Sequence, residues 1–135
     1  MTETESNGFL TALGMRIASA SADEVVVEWD VAPRHHQPMG IVHGGVHAGA
    51  VETACSIGAT LAARARDPRM VAVGLENHTT FVRAVRNGRL RCTAKPITRG
   101  SRTQVWNAEV RDADGRIVAT GTVRLLCVAA DAPIG

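Results

Sequence analysis

Tyrosine is absent from this chain, and its 135 residues hold only two tryptophans and two phenylalanines. A platform of aromatic faces for stacking single-stranded bases is hard to assemble from so few rings. An excess of one charge is missing as well: fifteen basic side chains stand against thirteen acidic ones, too even a balance to define a nucleic-acid surface. Cysteine is sparse, and Cys55, Cys92 and Cys127 form no Cys-x-x-Cys pair. That argues against a disulfide framework or a cysteine zinc site and suggests a reducing compartment. No apolar run is long enough to span a bilayer. The opening residues Met1 to Gly8 are acidic and polar, unlike a signal peptide. A cytoplasmic protein with no membrane or nucleic-acid partner is expected.

What is present is an ordinary globular composition, 45% hydrophobic and 21% charged, in a chain sized for one domain with a real core. A single domain over residues 1–135 is expected, with 1–9 and 129–135 flexible. Gly14 to Ala20 reads as a short strand. Glu24 to Val31 alternates, with Val25, Val27, Trp29 and Val31 on one face, as a half-buried strand does. Pro33 and Pro38 keep the stretch from Ala32 to Ile41 irregular. From Val46 to Arg66 small and apolar residues surround the whole helical circumference, the mark of a helix buried on most sides, and Asp67-Pro68 ends it.

The remainder reads as strands. Val71, Val73, Leu75, Asn77, Thr79 and Phe81 fall on one face of the first, and Asn87-Gly88 signals a hairpin. Leu90, Cys92 and Ala94 alternate next. After a turn at Thr98 to Ser101 come Trp106, Ala108 and Val110, then Asp112 to Gly115, then a last strand from Ile117 to Val128. Two strands, one buried helix and four hairpin-linked strands make an α+β fold. An antiparallel sheet of five to six strands is expected to wrap around the one long central helix. Pairing of two sheets edge to edge in a homodimer would protect the exposed strand edges.

Chemistry concentrates between Gln37 and Glu52. Gly44 and Gly45 at the helix start leave backbone N–H groups uncovered by any Cβ, and with the positive end of the helix dipole these suit a developing oxyanion. Glu52 falls two turns into an otherwise apolar helix, where a carboxylate is costly unless it faces a cavity or a partner. Such a group is a general base or a nucleophile in waiting. The plainer readings are a glycine pair that allows tight helix packing and a glutamate at an exposed helix edge.

The segment Gln37, Gly40-Ile-Val-His43-Gly44-Gly45, Glu52 resembles the signature of the hotdog-fold thioesterases. The likeness is to the phenylacetate-pathway type and above all to the 4-hydroxybenzoyl-CoA thioesterase branch, whose longer Gln/Glu pair it shares. The order of elements is similar over residues 10–128. The resemblance implies an acyl-CoA or aryl-CoA thioesterase. It implies that the Gly44 amide polarises the carbonyl, that Glu52 attacks it or activates water, and that Gln37 and His43 orient the reacting groups while Ser56 holds the water. It implies a homodimer in which Glu52 faces the Gly amide of the other subunit, with a dimer of dimers as a further option. Coenzyme A needs phosphate partners. Gly45, Asn77, Arg83, Arg99, Ser101 and Arg102 are the candidates for the substrate, although isolated turn arginines are commonly just solvated.

Other readings compete. His35, His36, His43, His47 and Glu52 crowd one stretch, and imidazoles with a carboxylate can ligate Zn²⁺ or Fe²⁺. His43 precedes the helix, however, so its i,i+4 spacing to His47 is not a helical one, and no metal or other cofactor is expected. His47 has no role in the implied mechanism. Cys55 lacks a base partner and reads as packing rather than as a nucleophile. A dehydratase lacks the spacing it needs here, whereas a non-catalytic acyl-CoA or aromatic-ligand binder on the same fold stays open.

Overall fold

The computed structural model describes residues 8–133. A short helix α1 (Phe9–Leu13) ends at Gly14, whose φ of 61° lies in the left-handed region that glycine favours. Strands β1 (Arg16–Ala20) and β2 (Val25–Asp30) follow, then a 3-10 turn at Pro33–His35 and the long helix α2 (Gly44–Arg66). The chain continues through β3 (Met70–Phe81), β4 (Arg89–Arg99), β5 (Thr103–Arg111) and β6 (Ile117–Ala129). Six strands form one antiparallel sheet in the order β1-β2-β4-β5-β6-β3, with α2 packed against β2 to β6. This is the hotdog arrangement that the resemblance implied.

Small residues on α2 set how closely the sheet wraps it. Ala50, Val51, Ala54, Cys55 and Ala59 are fully buried, against Leu90, Cys92, Trp106 and Val110 from the strands. Gly58 lies directly under the Trp106 ring, and a Cβ on Gly121 would sit 2.6 Å from Val51. Each fully buried large side chain contributes about 1.5–3 kcal/mol through the apolar surface removed from water. Trp29 and Trp106 are both buried core residues, as expected. A polar strap crosses this core. The Trp106 indole N–H donates to Gln104 Oε1 at 2.8 Å, and Gln104 Nε2 donates to Ala59 O at 2.9 Å.

Two details depart from the strand pattern read in the sequence. The last four strands are not linked by successive hairpins. Only β4-β5-β6 form a meander, whereas β3 pairs with β6 and β4 pairs with β2. Asn87-Gly88 therefore ends a crossover rather than a hairpin. Gly88 has the positive φ of 92° that the dipeptide suggested, but a turn signal reports a local reversal and not which strand lies alongside. The crossover is tied down by Val82 N–H and Arg83 N–H, which donate to Val118 O, and by Val31 N–H, which donates to Gly88 O.

The second departure is a bulge in β3 between Gly74 and Glu76. Ala72 and Gly74 face α2 before it, and Asn77, Thr79 and Phe81 face α2 after it. Val71, Val73 and Leu75 thus lie on the opposite face from Asn77, because one extra residue reverses the alternation. Strand β3 is also an edge of the sheet, with Leu75, Phe81 and Val82 exposed along and just beyond it. Of the segments expected to be flexible, 1–7 and 134–135 lie outside the described residues. Phe9 opens α1, and Ala130 N–H donates to Arg69 O at 2.8 Å.

Candidate active site

The loop before α2 is pinned by its histidines. His35 is fully buried. Its Nδ1 accepts from Ala32 N–H at 2.9 Å, so Nε2 carries the proton and donates to Leu13 O at 2.7 Å. The His35 carbonyl accepts from His43 N–H at 2.8 Å, and His36 Nε2–H donates to Arg86 O at 2.8 Å. Among the described residues no three His, Cys, Asp or Glu side chains are grouped to hold a metal ion. Gln37 closes a tight turn, in which its N–H donates to Ile41 O and its carbonyl accepts from Gly40 N–H. The Gln37 Oε1 accepts from Met39 N–H, which fixes the carboxamide against its own turn.

At that start the two glycines part company. His43 is the N-cap, and its Nδ1 accepts the Gly45 N–H at 2.7 Å. The Gly45 amide is thereby used, and the neutral His43 ring keeps its proton on Nε2. Gly45 is required for this close return, since a Cβ there would lie 2.9 Å from Nδ1. The Gly44 N–H has no acceptor among the described residues. It opens on a pocket of about 270 Å³ lined by Gln37, Gly44, His47, Phe81, Val82 and Arg83, among others. Gln37 and Gly44, expected to act together, do meet in one pocket.

His47 lies one turn on, 3% exposed, between the rings of Trp29 and Phe81 at centroid distances of 6.4 and 6.2 Å. Its Nδ1 and the Trp29 Nε1 are both buried without a partner among the described residues. Burial away from any anion pushes the His47 imidazole down to about 4, so the ring is neutral near pH 7.

Glu52 is half-buried and held from two sides. Ser56 Oγ donates to its Oε2 at 3.1 Å, and Asn77 Nδ2 donates to its Oε1 at 3.2 Å. Asn77 Nδ2 also donates to Ala48 O at 3.0 Å, and Thr79 Oγ1 donates to Asn77 Oδ1 at 2.6 Å. Ser56, to which the resemblance gives the water, bonds the carboxylate itself. Asn77, a candidate for contact with the substrate, bonds Glu52. Thr79 carries no expected role in the sequence, and its two-residue spacing from Asn77 on an inward face is the available signal.

Within one chain Glu52 does not meet Gly44. Glu52 lies eight residues further along the helix than Gly44, about 12 Å of rise and roughly 80° of rotation. The arginines are divided as well. Arg83 N–H bonds Val118 at the start of β6, while the Arg102 carbonyl bonds Cys127 N–H near its end, nine strand residues or about 30 Å away. Arg99 Nη1 is engaged by Ala22 O at 2.8 Å and Asp23 Oδ1 at 2.7 Å, whereas Ser101 and Arg102 are exposed beside it. The Cys55 thiol is buried, and burial pushes it far up, out of the range of a nucleophile.

Comparison with known proteins agrees with this architecture. Residues 39–119 match the model of the thioesterase superfamily. The chain is 33% identical over 121 residues to the 1,4-dihydroxy-2-naphthoyl-CoA hydrolase of Listeria monocytogenes, covering 90% of this chain and 89% of that protein. It is 36% identical over 105 residues to the enzyme of the same name from Escherichia coli, covering 78% and 75%. A thioesterase structure from Haemophilus influenzae superposes with a TM-score of 0.89 at 26% identity, covering 98% of this chain and 91% of that one. No helix among the described residues is long and apolar enough to cross a membrane. On the matched motif region, the shared fold and the extent of these relatives, the chain belongs to the thioesterase superfamily and is a thioester hydrolase.

Proposed function

We propose that the protein hydrolyses a coenzyme A thioester, with an aryl or bulky acyl group, to the free acid and coenzyme A, at a site shared by two copies of the chain. The observation that carries this is the pairing of an unused Gly44 N–H at the positive end of α2 with a hydrogen-bonded carboxylate, Glu52, on the same helix but out of reach of it. Backbone N–H groups aimed at a carbonyl oxygen stabilise the charge that develops on it. Glu52 either adds its oxygen to the carbonyl carbon or takes a proton from water that does so. In both cases the C–S bond breaks, the electron pair leaves with the thiolate of coenzyme A, and water supplies the new oxygen of the acid.

The edge strand supports a two-chain site. Gly74 of β3 lies against Glu52, and Phe81 of β3 lies against Gly44. If two β3 edges pair antiparallel about a two-fold axis, the Phe81 end of one strand falls beside the Gly74 end of the other. Gly44 of one copy then approaches Glu52 of its partner. Exposed Leu75, Phe81 and Val82 become covered in the same step. The aryl preference is supported by the two naphthoyl-CoA hydrolases among the relatives and by a pocket of about 270 Å³. Arg83, which lines the pocket at Gly44, and exposed Arg102, at the far end of the sheet in the same chain, are alternative cations for the nucleotide phosphates.

The test is thiol release across short, medium, long-chain and aryl coenzyme A esters, with wild type beside Glu52→Ala. The wild type is expected to turn over aryl esters fastest and the variant to fall by two orders of magnitude or more, on the scale of losing a nucleophile or base. A folded Glu52→Ala protein with near-wild-type turnover overturns the role of Glu52. Binding without release of thiol from any ester supports the non-catalytic binder instead.

A further inference from the structure

Glu52 projects from α2 on a flexible side chain, yet catalysis needs its carboxylate held within a fraction of an ångström. The structure shows what limits it. One oxygen is bonded by Ser56 from the same helix and the other by Asn77 from the edge strand. The orientation of the Asn77 amide is not ambiguous. Its Nδ2 lies 3.0 Å from Ala48 O, which can only accept, so the NH₂ group faces the helix and Oδ1 faces away. Oδ1 in turn accepts the Thr79 hydroxyl at 2.6 Å. Thr79 fixes Asn77, and Asn77 clamps the Glu52 carboxylate to the carbonyl one turn before it.

The bulge in β3 is what brings an amide to this place. Gly74 faces Glu52, and strict alternation would bring Glu76 inward next, setting two carboxylates against each other. The extra residue at Leu75 turns Glu76 outward, where it meets Arg124 Nε at 3.5 Å and His78 Nε2 at 3.6 Å. Asn77 takes the inward position instead. Among the described residues no lysine, arginine or histidine pairs with Glu52. The titratable neighbour on its own helix is Cys55, which burial keeps protonated. The carboxylate is therefore held by neutral donors, a hydroxyl and an amide.

We infer that Asn77 is a positioning residue for Glu52, with Thr79 as its support, and that the edge strand as well as the helix aims the reacting carboxylate. This rests on the role proposed for Glu52. The experiment measures kcat and KM on the best coenzyme A ester for Asn77→Leu, Thr79→Val, Thr79→Ser and Gly74→Ala, with Glu52→Ala as control. Asn77→Leu is expected to lower kcat by 10- to 100-fold with KM little changed. Thr79→Val is expected to do the same more weakly, and Thr79→Ser to restore wild-type behaviour. Gly74→Ala, whose added methyl meets the carboxylate itself, is expected to lower kcat without unfolding.

Wild-type kcat in both Asn77→Leu and Thr79→Val overturns the inference. So does a rise in KM alone, which makes Asn77 a contact to the substrate. If Asn77→Leu does not fold, Thr79→Val and Gly74→Ala decide by the same readouts. An inactive Glu52→Ala beside an unaffected Asn77→Leu defeats only this inference, whereas an active Glu52→Ala defeats the proposed function beneath it.

Discussion

The buried histidine of α2 leads to a pH dependence of stability that can be worked through. His47 is 3% exposed, and its folded value is lowered from 6.5 to about 4 because burial penalises the charged ring. Above pH 6.5 the ring is neutral in both folded and unfolded chains, and its burial brings no titration cost. As pH falls from 6.5 toward 4, the unfolded chain takes up a proton that the folded one refuses. Stability therefore drops through that window and levels off below it. At 1.36 kcal/mol per unit the full loss is about 3 kcal/mol, a large part of the 5–15 kcal/mol that a domain typically has. Carboxylates titrate in the same range, so the measurement is a difference. Urea unfolding of wild type and His47→Leu, at one fixed chain concentration between pH 7.5 and 4, isolates the histidine. The stability of the wild type relative to His47→Leu is expected to fall by about 3 kcal/mol on acidification. Parallel curves would refute the reasoning, and would mean that His47 finds a partner for its proton or is reached by water.

Three further outcomes follow from particular contacts. Gly45→Ala places a Cβ 2.9 Å from His43 Nδ1, so it should break the N-cap bond and cost about 1 kcal/mol, read as a lower thermal midpoint together with reduced turnover. Gly58→Ala drives a methyl into the Trp106 ring. Overpacking of about 1–3 kcal/mol should outweigh the roughly 1 kcal/mol of helix propensity gained, and an unchanged urea midpoint would show that the ring yields. Leu75→Glu combined with Val82→Glu puts charge along the open β3 edge. It should shift sedimentation to the monomer and abolish thiol release, whereas an intact, active assembly would exclude that edge as the interface.

The elements were legible wherever the pattern is local. The all-round apolar character of Val46 to Arg66 marks a buried helix, and the helix runs Gly44–Arg66. Leu90, Cys92 and Ala94, and again Trp106, Ala108 and Val110, alternate inward as read. What stayed hidden depends on non-local geometry. Asn87-Gly88 announces a turn, yet only the placement of α2 and β6 determines that β3 goes to the far edge of the sheet. A bulge leaves no composition signal, so Asn77 was placed on a face with Val73 instead of against Glu52. The polar strap through Gln104 was missed because an isolated glutamine on a strand gives no sign of its partner. At the loop, five nearby acid and imidazole groups raise a metal only as a competing reading, which the position of His43 before the helix already disfavours. The structure uses His35 and His36 to fix the backbone and His43 to cap the helix, roles that spacing alone does not separate from ligation.

Sequence proximity also misleads about the site itself. Gln37, Gly44 and Glu52 fall within sixteen residues, which reads as one continuous active site. The helix that follows Gly44 converts that nearness into about 12 Å of separation, with Gln37 and Gly44 on one pocket and Glu52 under the edge strand. On the function proposed above, a site that needs both takes them from different chains. Co-refolding makes this a measurable statement. Glu52→Ala chains retain an intact Gln37, and Gln37→Ala chains retain an intact Glu52, so a mixed dimer contains one site with both residues and one with neither. Equal mixing makes about half of the dimers mixed if pairing is random. Activity should then return to about a quarter of wild type from two variants that are each inactive alone, given that the two-fold operator repeats every contact. A site confined to one chain predicts no recovery at any mixing ratio, because every chain in the mixture lacks one of the two groups.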